Sequence, residues 1–191
     1  MAMVIKIRVP KWVERAILWP MEIYHSIRLW RRKIRLLPLS KGKFAIVDSD
    51  DYEELNKVKW YVQKSEGYYA ICRRGGKTLW MHRVIMNAPE DKKVDHRNHN
   101  GLDNRRENLR LANNSENNRN RRKMRGRFTS KYKGVFWDKN RKKWLARIYV
   151  NGKLKHIGCF DDEIEAAKAY DEAAKKYHGR FGCLNFPDDT D

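Results

Sequence analysis

The stretch that decides the fold runs Val94-Asp95-His96-Arg97-Asn98-His99-Asn100-Gly101-Leu102-Asp103-Asn104-Arg105-Arg106-Glu107-Asn108-Leu109-Arg110-Leu111-Ala112-Asn113-Asn114-Ser115-Glu116-Asn117. Val94-Asp95-His96 is a short strand-like approach that ends in a carboxylate beside an imidazole. Asn98 to Asn104 is rich in Asn, Asp and Gly, residue types that accept tight turns. Glu107 to Ala112 then reads as a second short strand. Asn113 is placed to cap a helix, with Glu116 three residues later completing a capping box. Asn117 falls in the first turn of that helix. The order is strand, loop, strand, helix.

Such an arrangement can hold one hard divalent cation. Magnesium takes oxygen ligands at about 2.0–2.1 Å and keeps several waters, so one carboxylate and one side-chain amide suffice when phosphate oxygens complete the shell. A neutral imidazole beside it can accept a proton from an attacking water.

Outward from this segment the texture changes. Downstream, Arg119, Arg121, Arg122, Lys123, Arg125 and Arg127 form a cationic run. Such a run is suited to tracking a phosphate backbone. Upstream, Phe44 to Val47 reads as a strand ended by a turn at Asp48 to Asp51. Tyr68 to Cys72 and Thr78 to Trp80 flank a Gly75-Gly76 turn and read as a hairpin. Before these, Ile23, Ile27, Trp30 and Ile34 recur at helical spacing, which predicts an amphipathic helix within a basic N-terminal extension.

Beyond a short basic linker, Trp144, Ala146, Ile148 and Val150 alternate with Leu145, Arg147 and Tyr149, the period of a half-buried strand. Lys133 to Trp137 precedes it as a strand, and Asn151-Gly152 turns it into a return strand over Lys153 to Ile157. Asp162 caps a helix whose apolar stripe is Ile164, Ala167, Tyr170, Ala174 and Tyr177, ended by Gly179. That helix covers one face of the sheet and leaves Arg147, Tyr149 and His156 to a partner. The expected division is an extension over 1–35, a first domain over 36–125, a linker over 126–131 and a second domain over 132–188.

Composition narrows the partner. The 191 residues carry 43 Lys and Arg against 24 Asp and Glu, a formal net charge of +19. That excess repels itself unless a polyanion binds it. Aromatics at 12% are too frequent for a disordered basic tail. The apolar stretch Ala16 to Trp19 stops at Pro20, far short of the roughly 20 residues a membrane span needs, so no transmembrane span is expected. Nucleic acid rather than a membrane is the expected partner, with surface binding through the basic amphipathic N-terminus as the weaker rival. Cys72, Cys159 and Cys183 are too few and too scattered for a disulfide framework or a zinc ribbon, which points to a reducing, cytoplasmic compartment.

The segment from Val94 to Asn117 resembles the HNH, or ββα-metal, endonucleases. It is most similar to phage and group I intron homing enzymes in which Asn replaces the final His. His96, Asn108 and Asn117 match the family pattern. The resemblance implies His96 as general base, Asn108 as the residue orienting the His-bearing loop, and Asp95 and Asn117 as ligands of one magnesium or manganese ion. Structural zinc is not expected, since the cysteine pairs that brace some members are missing. Met81-His82-Arg83 resembles the family's usual lead-in. Asn114 or Asn118 could replace Asn117 as the final ligand, and His99 could replace His96 or act as ligand.

Tyr132-Lys133-Gly134-Val135, Trp144-Leu145-Ala146, Ile157 to Asp161, Glu165 to Asp171 and Leu184 to Pro187 together resemble the APETALA/ethylene-response-factor DNA-binding domain. Its three-stranded sheet enters the major groove. Carried over by position, the contacts are Lys133, Phe136, Asp138, Arg147, Tyr149, Leu154 and His156. Arg119, Arg121 and Arg122 join Lys133, Arg147, Tyr149 and His156 as expected DNA contacts.

The expected fold class is α+β: a ββα-metal nuclease domain followed by a three-stranded antiparallel sheet packed on one helix. The expected function is metal-dependent nicking or homing-type cleavage of double-stranded DNA by a monomer in a bacterial or phage-infected cell. The competing readings are a non-catalytic DNA-binding regulator and an RNA-associated protein.

Overall fold

Short runs of β-branched and aromatic residues, separated by glycines and acidic turns, fold here as four small antiparallel sheets in two units. The computed structural model describes residues 34–124 and 126–187. The helix predicted around Ile23, Ile27 and Trp30 lies outside these residues. Ile34 does not continue it, for it opens the first strand.

In the first unit, β1 (Ile34–Pro38) pairs with β2 (Phe44–Asp48). A three-stranded sheet follows, made of β3 (Tyr61–Lys64), β4 (Tyr68–Arg74) and β5 (Lys77–Trp80) with β4 central. Gly75 and Gly76 both have positive φ at the β4–β5 turn, which explains the glycine pair there. Leu37, Val47, Leu55, Trp60, Ala70, Met81 and Leu109 share one buried cluster that binds these elements together.

The acidic stretch after β2 is not a simple turn. It starts α1 (Ser49–Asn56), with Asp50 and Asp51 in the first helical turn, where carboxylates favour the helix dipole. Asp48 accepts the Arg106 backbone N–H at 2.8 Å, and Asp51 binds the Arg106 side chain, so this corner holds the far end of the Asn-rich loop.

After α2 (Met81–Ile85), β6 (Lys93–His96) pairs antiparallel with β7 (Leu109–Ala112), placing Asp95 opposite Arg110 and His96 opposite Leu109. The second strand is shorter than the Glu107 to Ala112 expected, because residues 105–108 turn first, with the N–H of Asn108 on the Arg105 carbonyl. Helix α3 (Asn114–Asn120) follows, and its capping box between Asn113 and Glu116 is present in both directions.

The second unit is an antiparallel sheet of β8 (Val135–Asp138), β9 (Lys143–Val150) and β10 (Lys153–Phe160), with α4 (Glu163–His178) on one face. Asp162 caps α4 through the N–H groups of Ile164 and Glu165. Ala166, Ala167, Tyr170, Ala173 and Ala174 are buried against the sheet, whereas Ile164, expected in the stripe, is 45% exposed at its edge. Asn151 and Gly152 both adopt positive φ at the hairpin, as that pair favours.

A 3₁₀ turn over Gly179–Phe181 returns the chain to the first unit. There the Arg110 guanidinium meets the Arg180 carbonyl and lies 4.2 Å from the centre of the Phe181 ring. The Lys133 ammonium donates to the carbonyls of Arg119 and Arg121, both at 2.6 Å. The two units are therefore docked through buried polar contacts as well as chained by a linker.

Candidate active site and nucleic-acid interface

Loop 97–108 is built by its own amide side chains. Asn98 Oδ1 accepts the Asn100 N–H at 2.9 Å, and Asn100 Oδ1 accepts the Leu102 N–H at 3.1 Å, two successive Asx turns. Asn98 Nδ2 donates to the buried Asp103 carboxylate, which Arg105 also grips with two nitrogens at 2.7 and 2.8 Å. The backbone of the loop is pinned to β2: the Ile46 N–H donates to the Leu102 carbonyl, and the Asn104 N–H to the Ile46 carbonyl, each at 2.8 Å. Gly101 admits no side chain, since a Cβ there would sit 2.5 Å from the Tyr68 carbonyl and 2.6 Å from the Tyr69 ring.

Asn108 spans the loop. Its Nδ2 donates to the Asp103 carbonyl at 2.7 Å, and its Oδ1 accepts the Asn98 N–H at 3.0 Å. Both functional ends of one amide therefore hold the segment that follows His96.

His96 is 6% exposed and stands in a ring-lined recess. The His82 ring meets it edge-on at 5.1 Å between centroids, and Tyr69 at 5.9 Å. His96 Nε2 lies 3.3 Å from Asn104 Oδ1. With that oxygen as acceptor, Nε2 carries the hydrogen and Nδ1 keeps the lone pair. Burial pushes the His96 pKa below its ordinary value, against the opposing pull of Asn104, Asp95 and Asp103. His82 is pushed down to about 3, by burial first and then by His96 and Arg83. Both imidazoles are thus neutral near pH 7, the state a proton acceptor needs.

Asp95 is 7% exposed and carries an asymmetric set of partners. Arg110 directs two nitrogens at Oδ2, Nε at 2.8 Å and Nη2 at 2.6 Å. Asn120 Nδ2 donates to Oδ1 at 2.9 Å and to the His96 carbonyl at 3.1 Å. Oδ2 accepts the Nε hydrogen and stands against a second guanidinium nitrogen, while Oδ1, on the side of α3, takes one hydrogen bond, from Asn120. Asn117 is half-buried and precedes Asn120 by three residues, so both lie on the flank of α3 that meets β6.

The two other amides considered for the last ligand, Asn114 and Asn118, are exposed. Asn118 lines a different cleft, described below. His99 has a left-handed backbone (φ 63°), and its Nε2 lies 3.8 Å from Cys183 Sγ. Burial pushes it to about 4, reinforced by Arg122 and opposed by Asp95.

Three contributors were not singled out from sequence: Arg110, Asn104 and Asn120. Arg110 had a signal, because antiparallel pairing of the two strands around the loop sets it directly opposite Asp95. Asn120 repeats Asn117 at helical spacing. Asn104 had none, since its side chain reaches His96 only through the path of the loop.

The Asp95 carboxylate and the Asn117 amide offer oxygen donors, which suit a hard divalent cation better than a soft one. Because Arg110 already neutralises Asp95, the cation needs further negative charge from outside the protein.

A cleft of about 670 Å³ separates the outer flank of α3 from the open sheet face, and Asn118, Arg119, Lys123, Phe136, Arg147 and Tyr149 are among its lining residues. Cations line it and no carboxylate does. The Arg147 guanidinium stacks 4.5 Å above the Phe136 ring, and Tyr149 is 65% exposed. Leu154 and His156 are exposed further along the return strand.

Other expected contacts have work inside the protein. The half-buried Lys133 lines the same cleft, but its ammonium is held at the junction by the carbonyls of Arg119 and Arg121 at the end of α3. Arg121 pairs with Glu66, and Arg122 reaches toward the Asn98 carbonyl. Asp138 accepts the N–H groups of Asn140 and Arg141, a turn-forming role.

Comparison with known proteins agrees with this division. Residues 80–119 match the family model described as HNH endonuclease, and residues 130–180 match the AP2 domain. An uncharacterized HNH endonuclease of Acanthamoeba polyphaga mimivirus is 33% identical over 156 residues, covering 78% of this chain and 79% of that protein. An AP2-like ethylene-responsive transcription factor of Arabidopsis thaliana is 44% identical over 63 residues, 33% of this chain and 18% of its own length. A rice AP2/ERF and B3 domain-containing protein is 46% identical over 59 residues, 31% of this chain and 16% of its own length. The plant likeness is therefore confined to one domain, whereas the viral one runs through both units. With a family-matched ββα segment holding Asp95 and His96 and an AP2 domain docked behind it, the chain belongs to the HNH endonucleases, hydrolases that cut DNA.

Proposed function

We propose that the protein hydrolyses phosphodiester bonds of duplex DNA, one strand per site, with a single magnesium or manganese ion. His96, with Nε2 engaged by Asn104 and Nδ1 free, carries this reading. His96 takes the proton of the attacking water at Nδ1, and the ring walls of Tyr69 and His82 hold the imidazole in one orientation. Asn108 keeps the loop closed behind it. Asp95 Oδ1 and the Asn117 amide oxygen would hold the ion, with His99, Asn114 and Asn118 left to other surroundings. When bound, the ion stabilises charge on the scissile phosphate and the leaving oxygen. Cleavage leaves a 3′-hydroxyl and a 5′-phosphate.

Recognition falls to the cleft and the open sheet face. Arg147 and Arg119 meet phosphates or guanine edges, and Tyr149 and His156 extend the surface. Arg121 and Arg122 lie at its margin. One centre per chain suits nicking by a monomer, and a double-strand break needs two events. We place this activity in the cytoplasm and in the mobile, homing type of HNH enzyme. Among the described residues no helix is long and apolar enough to cross a membrane.

The test is conversion of supercoiled plasmid to the nicked form with Mg²⁺. His96→Ala is expected to lower the rate at least about 100-fold, the scale of general-base catalysis, with duplex affinity within a few-fold. Undiminished nicking by His96→Ala would overturn the assignment.

A further inference from the structure

The nuclease site and the AP2 domain are joined at the carboxylate itself. Asp95 Oδ2 accepts the Nε hydrogen of Arg110 and lies 2.6 Å from Nη2 of the same guanidinium as an ion pair. The third nitrogen of the same guanidinium, Nη1, donates to the Arg180 carbonyl, and its face lies 4.2 Å from the centre of the Phe181 ring. Arg180 and Phe181 lie in the 3₁₀ turn that follows α4, at the C-terminal edge of the AP2 match over residues 130–180. Arg110 is 6% exposed and Phe181 5%, so the contact is dry. A desolvated cation over an aromatic face is held far more firmly than an exposed one. Among the described residues of the nuclease unit, the side-chain hydrogen bond and ion pair of Arg110 both go to Asp95, which it could leave for water or for the incoming phosphodiester.

We propose that Phe181 is a positioning residue for the metal site: by fixing Arg110, it fixes which oxygen of Asp95 is free. This rests on the reading of Asp95 as a metal ligand. With Oδ2 held by the Nε hydrogen bond and the Nη2 ion pair, Oδ1, which takes a single hydrogen bond from Asn120, is the oxygen open to a cation, and it faces α3. Loosening Arg110 lets the carboxylate rotate and lets the guanidinium compete for Oδ1. The AP2 domain thus completes the cutting centre as well as carrying it to DNA. Its removal is a loss of active-site order, beyond a loss of targeting.

The test follows Mn²⁺ broadening of the Asn120 side-chain amide signal in the ¹⁵N-labelled full-length chain, alongside the Mg²⁺ midpoint for plasmid nicking. Phe181→Leu keeps bulk and burial but removes the ring face. We expect it to raise the half-effect concentration of both ions about tenfold, with the rate at saturating Mg²⁺ changed less than about twofold. Phe181→Tyr, which keeps the ring, should stay within about twofold of wild type in both measurements. Should Phe181→Leu fail to fold, Arg110→Lys serves instead: it retains the charge, cannot set two nitrogens against Oδ2, and should raise the midpoints similarly. Unchanged or lowered midpoints in Phe181→Leu or Arg110→Lys overturn the proposal, as does an equal rise in Phe181→Tyr. A wild-type chain that neither binds Mn²⁺ at Asn120 nor cuts overturns the nuclease reading along with it. Wild type that does both, beside an unmoved Phe181→Leu, overturns this coupling alone.

Discussion

At the residue scale the site works through choices between two nearly equivalent atoms. Asn104 Oδ1 stands against His96 Nε2, an arrangement that favours hydrogen on that nitrogen, and Arg110 engages one of the two oxygens of Asp95. Neither contact is a ligand or a proton acceptor, yet each decides whether one is available. Asn104 is 0% exposed, so nothing from solvent replaces its oxygen. If Asn104 is replaced by Ala, His96 Nε2 loses its acceptor and the tautomer with hydrogen on Nδ1 becomes accessible. We expect Asn104→Ala to cut nicking about tenfold or more at saturating Mg²⁺. Asn104→Asp, which still offers an oxygen to Nε2–H, should recover most of that loss. Plasmid nicking across a Mg²⁺ titration separates this rate effect from weakened metal binding. Equal losses in both variants would mean that the position serves packing alone. His96, with Asp95 and Asn108, was singled out through the resemblance to the HNH pattern, which lies within one short segment of chain. Asn104 was not, because the contact depends on the three-dimensional course of a loop that β2 holds from 58 residues away in sequence (Ile46 to Asn104).

At the element scale the strongest sequence signals were local, and they hold. The Asn113–Glu116 box starts α3, Asn151-Gly152 turns β9 into β10, and Asp162 caps α4. The failures have a common source. Asp48 to Asp51 carries turn-prone residues that equally well start a helix, and the first turn of α1 with its buried Leu55 decides the matter. β1 escaped notice because its Ile34 also fits the helical spacing of Ile23, Ile27 and Trp30, and β3 because Val62 is its one buried residue. Close approach between elements is likewise hidden in sequence, and Gly134 shows it. Its φ is +75°, and a Cβ would come within 2.1 Å of the Tyr170 ring and 2.7 Å of the Arg147 carbonyl. Gly134→Ala combines backbone strain with overpacking, so we expect a loss of about 3 kcal/mol in urea unfolding. Gly152→Ala, at φ +78° but with nothing within 4 Å, should cost only about 1 kcal/mol. Equal costs at the two glycines would remove the steric argument for helix and sheet contact at Gly134.

At the scale of the whole molecule, +19 formal charges could be expected to hold two basic units apart. They are held together because several cations at the junction are turned inward onto carbonyl oxygens. Lys133 caps Arg119 and Arg121, Lys123 reaches the carbonyls of Tyr132 and Val135, and Arg110 reaches Arg180. Composition placed these side chains on a polyanion, and sequence could not reveal that part of the charge serves the junction. Lys133 gives the clearest test, since burial lowers its pKa while two carbonyls still hold its ammonium. Lys133→Met keeps the stem and removes the donors, leaving the last carbonyls of α3 unpaired at a half-buried seam. The expected cost is about 1–3 kcal/mol, the scale of lost hydrogen bonds to a charged group. Its signature is the form of unfolding rather than the loss alone. Docked units melt together, so wild type should show one transition with equal calorimetric and van't Hoff enthalpies, whereas Lys133→Met should split into two. A single sharp transition in the variant would show that Arg110 and Lys123 suffice to join the units. Two transitions already present in wild type would show that the units fold independently, and would leave the carboxylate at Asp95 without its brace from Phe181.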